Sequence, residues 1–303
     1  MPQIYENFSE IADSFETILV DAYGVFWNGS GFYENSLETL SAQVKAGKQV
    51  VIVSNSTQRA EQAVKSYEKR GLIKDKHYNF FVTSGEAARY FLADNTALKN
   101  KRLYAFGNPS SLLSDIGYQY VPSPGEAEAF YIGVPQLSDV EADNNSLYED
   151  FLFLSKSGKY DSTIIEPFIP DLKKLYRFGL FAINANPDFY AGESDINGDV
   201  HYVVRQGLIA ETYRKMGGEV IEFGKPHREI FDYAFKLIGA KDKSKTAMIG
   251  DTFRTDILGA KRAGIKALWC VQTGITAEAI ARGKSLEEIC NNDFSDTYLI
   301  KHL

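Results

Sequence analysis

The sequence predicts an α/β fold, a doubly wound parallel sheet with a second α/β domain inserted into it. Three observations carry this expectation. Short β-branched runs alternate with amphipathic helical stretches from Thr17 to Leu92, the pattern breaks between about residues 100 and 205, and it then resumes. Such alternation implies right-handed crossovers and therefore parallel strands. The expected organisation is a core in two parts, 1–99 and 206–303, around an inserted cap at 100–205.

The first strand, Thr17-Ile18-Leu19-Val20, delivers Asp21 onto a turn containing Gly24. An aspartate behind an apolar run is costly to bury unpaired, so it is expected at the carboxyl end of the strand, where open α/β sheets hold their ligands. Alone, it could equally be a turn aspartate satisfied by nearby backbone N–H groups. Leu37, Leu40 and Val44 fall at i, i+3 and i+7 and give a helix that Gly47 can end in a left-handed cap. Val50-Val51-Ile52-Val53 reads as a strand covered on both faces, closed by Ser54-Asn55-Ser56. A polar helix follows from Thr57, stopped at Gly71, then a strand Phe80-Phe81-Val82 and a helix from Ser84 to Leu92.

Within the insertion, strands are expected at Arg102–Phe106, Ala129–Gly133 and Leu180–Asn184. The last runs into Asn184-Ala185-Asn186-Pro187-Asp188, which is either an Asx/Pro turn or a loop offering Asn186 and Asp188 to a substrate. The core pattern resumes with a helix from Leu208 to Met216, a strand Val220-Ile221-Glu222-Phe223 ending in Gly224-Lys225-Pro226, and a helix marked by Ile230, Phe231, Ala234, Phe235 and Ile238. Ala247-Met248-Ile249-Gly250 ends in Asp251, with Asp256 five residues further on in a helix from Thr252 to Arg262, and Lys266–Val271 is the next strand. Thr276–Leu303 reads as a C-terminal helix with Leu286, Ile289 and Cys290 on its apolar side.

Four strand ends thus finish in groups suited to a phosphate ester: a nucleophilic carboxylate, a hydroxyl, an ammonium and an acidic pair. Phosphoryl transfer needs a nucleophile, neutralisation of the transferring oxygens and an acid for the leaving group. Asp21 can attack phosphorus to form an aspartyl phosphate. Asp251 can join it on a hard, oxygen-loving cation such as Mg²⁺, and Asp256 can ligate it or orient its water. Lys225 supplies positive charge, while Ser54 and the Asn55 backbone supply hydrogen bonds to phosphate oxygens. Taken singly, Lys225-Pro226 is a helix-entry turn and Ser54 a strand-end cap; the joint placement is what favours chemistry.

The totals agree with a small-ligand enzyme. A net charge of −7 without a long basic run argues against a nucleic-acid footprint or an anionic membrane surface. Cys270 and Cys290 lack partners at zinc spacing and read as reduced structural thiols. Of the histidines His77, His201, His227 and His302, none has metal-like spacing, and His227 beside Pro226 reads as a surface or capping residue. There is no GxGxxG, and Gly283-Lys284-Ser285 fails as a Walker loop because Glu278 occupies the first glycine position. The N-terminal stretch is acidic and lacks a signal-peptide core, and no apolar run approaches the ~20 residues that span a bilayer, so the chain reads as cytoplasmic. The expected partner is a small phosphorylated metabolite, with neither nucleic acid nor membrane; homodimerisation is left open.

With these signals in hand, the chain resembles the haloacid dehalogenase superfamily, in the branch with a large α/β cap between the second and third motifs that includes p-nitrophenylphosphatase-like and predicted sugar phosphatases. Asp21 with Gly24-Val25 and Gly29 matches the first motif, Ser54-Asn55-Ser56 the second, Gly224-Lys225-Pro226 the third, and Gly250-Asp251 with Asp256 the fourth. Thr83-Ser84-Gly85-Glu86-Ala87 and Asn186-Pro187-Asp188 resemble recurring segments of that branch. The resemblance implies a Rossmann-like core, a Mg²⁺-dependent phosphomonoesterase and substrate selection by the cap. One position departs. Where phosphatases of the superfamily carry a general acid/base aspartate two residues after the nucleophile, this chain has Tyr23. The family uses that residue's backbone carbonyl as a metal ligand, which Tyr23 retains, but a phenol with an unperturbed pKa of about 10 is a poor proton donor near neutral pH. The resemblance therefore implies a phosphatase that is slow on poor leaving groups or, alternatively, a catalytically impaired phosphate- or metabolite-binding protein. A carbon–halogen hydrolase would leave the acidic pair unexplained, and no Schiff-base lysine for carbon–phosphorus cleavage is apparent in the cap.

Overall fold

Val50, Val51, Ile52 and Val53 are all buried, as a continuous apolar strand in the middle of a parallel sheet should be. In the computed structural model, which describes residues 2–95, 97–98, 101–107, 112–134, 165–194, 200–239 and 242–303, this run lies in a seven-stranded sheet. Its first part is built from β1 (Ile4–Asn7), β2 (Thr17–Val20), α1 (Ser36–Lys45), β3 (Gln49–Ser54), α2 (Ala60–Glu68) and β4 (Phe80–Thr83), followed by α3 (Ser84–Ala93). The insertion supplies β5 (Arg102–Phe106), β6 (Gln119–Val121), β7 (Ala129–Ile132), α4 (Ile169–Arg177), β8 (Phe181–Asn184), the antiparallel hairpin β9 (Tyr190–Ser194) and β10 (Val200–Val204), α5 (Gln206–Lys215) and β11 (Val220–Glu222). The last part comprises α6 (Arg228–Ile238), β12 (Thr246–Gly250), a π-helical turn at Phe253–Ile257 running into α7 (Leu258–Ala263), β13 (Lys266–Cys270), α8 (Gly274–Ala281), α9 (Leu286–Cys290) and β14 (Thr297–His302).

The larger sheet has the order β1-β14-β13-β12-β2-β3-β4 and every pairing in it is parallel. Placing β2 between β12 and β3 sets Asp21 beside the ends of both neighbours: Val20 is level with Ile249 and with Ile52. The smaller sheet, β11-β8-β7-β5-β6, is also all parallel. Its strands bury both faces in alternation. Phe130, Ile132 and Ala182 face Leu172, Leu175, Ile209 and Tyr213, while Ala129, Tyr131 and Ile183 pack with Ala88, Leu92, Leu103 and Leu113.

The chain divides into two compact units, one of residues 1–54, 59–84 and 225–303, the other of residues 55–58 and 85–224. The second unit is wider than the 100–205 expected from the sequence; of that range, 100, 108–111, 135–164 and 195–199 lie outside the described residues. The difference has a physical reason. Ala88 and Leu92 of α3 pack on the small sheet, as do Ile209, Ala210 and Tyr213 of α5. Periodicity shows that a helix has an apolar face, not which sheet the face meets. For the same reason the strand expected to carry Lys225 into the core sheet is β11, which pairs with β8 in the smaller one.

The C-terminal expectation is corrected more sharply. Thr276–Leu303 is not one helix. Gly283 adopts φ +91°, Ser285 caps a new short helix, and Asn291, Asn292 and Asp296 all take positive φ. The chain then enters β14, where Leu299 and Ile300 are buried between β13 and β1. Cys270 and Cys290 are buried free thiols. Among the described residues no helix is long and apolar enough to cross a membrane.

Candidate active site

Asp21 follows β2 and its amide donates to the Ile249 carbonyl of β12 at 2.9 Å, fixing the carboxylate at the sheet's carboxyl edge. Asp251 leaves β12 at the same edge, and the π-helical turn returns Asp256 towards it, where Asp256 Oδ2 accepts from the Thr252 amide at 3.1 Å. Lys225 arrives from the chain segment before α6. Its Nζ lies 2.6 Å from Asp21 Oδ1 and 2.8 Å from Asp256 Oδ1, with the Lys225 side chain only 2% exposed, Asp256 fully buried and Asp21 15% exposed. Ligand oxygens of Asp21, Asp251 and Asp256 all lie within 4.8 Å of one another.

Three glycines make this convergence sterically feasible. A Cβ on Gly24, which has φ +78°, would fall 2.3 Å from the Asp251 carboxylate; one on Gly274, at φ +62°, would fall 2.0 Å from Asp251 Oδ2; and one on Gly250 would fall 2.1 Å from Asp256 Cβ. The loop after β13 completes the enclosure. Ile275 N donates to Asp251 Oδ2 at 2.5 Å and Thr273 Oγ1 to the Gly24 carbonyl at 2.5 Å, while Trp269 Nε1 and Thr276 Oγ1 donate to the Asp251 carbonyl.

The electrostatics follow from burial and crowding. Burial pushes the Asp251 carboxyl well above the usual range, and Asp256 and Asp21 push it further, against the Ile275 N–H and Lys225. Burial alone would lower the Lys225 ammonium, but Asp21 and Asp256 outweigh it and hold the value raised. Two phenols face the cluster. Tyr67 is pushed up to about 12 by burial and then by Asp21, and Tyr33 to about 12 by burial, with Asp251 and Tyr23 adding to it. Both therefore stay protonated near neutral pH.

Three carboxylates against one buried ammonium form an excess of negative charge that a divalent cation would relieve, and the donor set is oxygen only. The residues present therefore fit a hard ion of the Mg²⁺ class. Asp21, Asp251 and Asp256 would hold it; the Tyr23 carbonyl remains an expected further ligand. The Tyr23 ring is partly buried against the core cluster, near Gly29. Ser54 ends β3 opposite Thr83 of β4, at the same sheet edge as Asp21.

Asn55, Asn186 and Asp188 come together within the other unit. Asn55 Nδ2 donates to Asp188 Oδ1 at 2.8 Å, and the Asp188 amide donates to Asn186 Oδ1 at 2.9 Å. Sequence reasoning missed Tyr67, Tyr33 and the Thr273-Gly274-Ile275 loop. The last had a usable signal, a Thr-Gly pair just past a strand end; the phenols sit on or before helices and had none.

Comparison with known proteins agrees with this geometry. A haloacid dehalogenase-like hydrolase family model matches residues 18–118 and a HAD-hydrolase-like model residues 222–297. The chain is 28% identical to phosphoglycolate phosphatase 2 of Arabidopsis thaliana over 292 residues, covering 93% of this chain and 91% of that protein. Its fold matches a haloacid dehalogenase-like hydrolase from Brucella suis 1330 with a TM-score of 0.70 at 23% identity, covering 90% and 91% of the two chains. It also matches p-nitrophenyl phosphatase from Archaeoglobus fulgidus with a TM-score of 0.64 at 19% identity, covering 94% and 95%.

Proposed function

We propose that this chain, a haloacid dehalogenase-like hydrolase of the phosphoric monoester class, cleaves a small phosphorylated metabolite through a phosphoryl group carried on Asp21. The observation that carries this is Lys225 bridging Asp21 and Asp256 at 2.6 and 2.8 Å, with Asp251 completing an acidic set around the nucleophile.

An Asp21 oxygen attacks phosphorus and the ester P–O bond breaks, its electrons leaving on the alcohol oxygen. Water then attacks the phosphorus, the bond to Asp21 breaks, and inorganic phosphate departs. Lys225 holds Asp21 in position and offsets charge on the phosphate, and Ser54 with the Asn55 backbone donates hydrogen bonds to its oxygens. Mg²⁺, when bound, supplies the remaining neutralisation that lets an anion approach three carboxylates. The proton for the departing alkoxide has no carboxylic acid to come from at position 23. Good leaving groups are therefore expected to turn over and alkyl esters to lag.

The test is phosphate release from p-nitrophenyl phosphate, 2-phosphoglycolate and glycerol phosphate, with Mg²⁺ and with EDTA. Activity that EDTA removes and Asp21→Asn abolishes is the expected result. An Asp21→Asn protein that still turns over would remove Asp21 as nucleophile. Mg²⁺-dependent stabilisation by phosphate without release from any ester would select the binding-protein reading instead.

A further inference from the structure

Asp188 lies in the segment Asn184 to Asp188, whose polar side chains hydrogen-bond within the segment and to Glu222 and Asn55. Asn184 is fully buried at the end of β8; its Nδ2 donates to Glu222 Oε1 at 3.0 Å, and its Oδ1 accepts from the Asn186 amide at 3.1 Å. Glu222 in turn pairs with Arg214 of α5. Asn186 Oδ1 takes the Asp188 amide at 2.9 Å, and the Asp188 carbonyl accepts from Gly207 N at 2.9 Å. Gly207 permits this approach, since a Cβ there would fall 2.1 Å from the Pro187 carbonyl oxygen. The chain of hydrogen bonds reaches Asn55, a residue only 5% exposed, whose Nδ2 donates to Asp188 Oδ1.

Asn55 is the first residue of the 55–58 segment, which packs with the inserted unit although the residues before and after it belong to the other one. It is one peptide bond beyond Ser54. Whatever fixes Asn55 also fixes where the chain leaves β3, and so the orientation of the Ser54 hydroxyl and the Asn55 N–H. A charged acceptor makes a hydrogen bond of roughly twice the ordinary strength, and this one is itself braced by two more.

We propose that Asp188 is a positioning residue: it latches the Asn55 side chain, and through it the phosphate-binding end of β3, instead of contacting the alcohol part of the substrate. This rests on the phosphatase reading and assigns Asn55 a divided role, its side chain in the latch and its backbone N–H toward phosphate.

The two roles for Asp188 separate experimentally. In the full chain with Mg²⁺, Asp188→Ala and Asn55→Ala are each expected to weaken inorganic phosphate, measured as product inhibition and as a thermal shift, by about tenfold, the loss of one charge-assisted hydrogen bond. They should lower kcat/KM by one common factor for p-nitrophenyl phosphate, 2-phosphoglycolate and glycerol phosphate. The double variant should be no worse than either single one. Asp188→Asn, which keeps a carbonyl to accept from Asn55, should recover most of the loss. Amide hydrogen exchange across residues 55–58 should quicken in Asp188→Ala, a readout that needs neither turnover nor ligand. Unchanged phosphate affinity together with losses that vary with the alcohol group would overturn the latch in favour of substrate contact. Unchanged exchange at 55–58 would overturn it even if no ester were hydrolysed, and if Asp188→Ala does not fold, Asn55→Ala and Asp188→Asn decide by the same criteria.

Discussion

At the scale of single residues, the proposed mechanism makes Asp21 the nucleophile and places a phenol where its leaving-group acid is expected. Tyr23 stands at the acid's position, and Tyr33 and Tyr67 hold their protons too tightly to replace it. A general acid contributes about 10²–10⁴-fold where the leaving group is poor. Tyr23→Asp is therefore expected to raise kcat on glycerol phosphate by about 10²-fold while changing p-nitrophenyl phosphate little; equal gains on both esters would mean that leaving-group protonation is not what the chain lacks. Asp251 carries a second expectation. Its folded-state pKa is raised, so between the ordinary carboxyl value of 3.8 and that raised value the native state binds more protons than the unfolded one. Stability of the metal-free protein should consequently fall as pH rises through that window. Melting curves in EDTA should show this slope, Asp251→Asn should flatten it, and Mg²⁺ should offset it; a metal-free slope identical in Asp251→Asn would contradict the assignment. Asp21, Lys225 and Asp251 were legible in the sequence because each stands just past a strand-like run, and Asp256 because of its spacing from Asp251. Their glycine neighbours were legible only as turn formers. That Gly250 is required by Asp256 depends on a π-helical turn that no spacing rule announces.

At the scale of elements, the pattern of strands and helices was readable where the segment was long or continuously apolar, and failed where a short strand followed short helices. β2, β3, β12 and β13 fall where apolar runs place them. β14 was hidden because Leu286, Ile289 and Cys290 continue a helical spacing, and Tyr298-Leu299-Ile300 is too brief to outweigh it. β1 escaped because its four residues alternate between exposed and half-buried, the weak signal of an edge strand. The structural reading makes Leu299 a core residue of the sheet and Ile289 a half-buried residue of a short helix. Leu299→Ala is expected to cost about 2–5 kcal/mol, and Ile289→Ala less, by urea denaturation. A cost for Leu299→Ala under about 1 kcal/mol would place the residue outside a packed sheet.

At the scale of the whole molecule, the candidate site is assembled from both ends of a sequence that the insertion separates. Lys225 and the Asp21 it contacts are 204 residues apart, and both belong to the unit that the insertion interrupts. The insertion itself was visible as a break in pattern, but its edges were not. α3 and α5 read equally well as core helices until Leu92 and Tyr213 are seen packed on the smaller sheet. In the proposed mechanism Tyr23 offers neither an acid for the first step nor a carboxylate base for the water of the second, so a phosphoryl group delivered by a good leaving group is expected to dwell on Asp21. The most direct test is to quench the Mg²⁺-loaded protein with acid during turnover of p-nitrophenyl phosphate and weigh the peptide containing Asp21. A fraction of that peptide carrying one added phosphoryl group, labile to hydroxylamine and lost in Asp21→Asn, is the expected result; phosphate release with no such adduct at Asp21, undiminished in Asp21→Asn, would contradict the account.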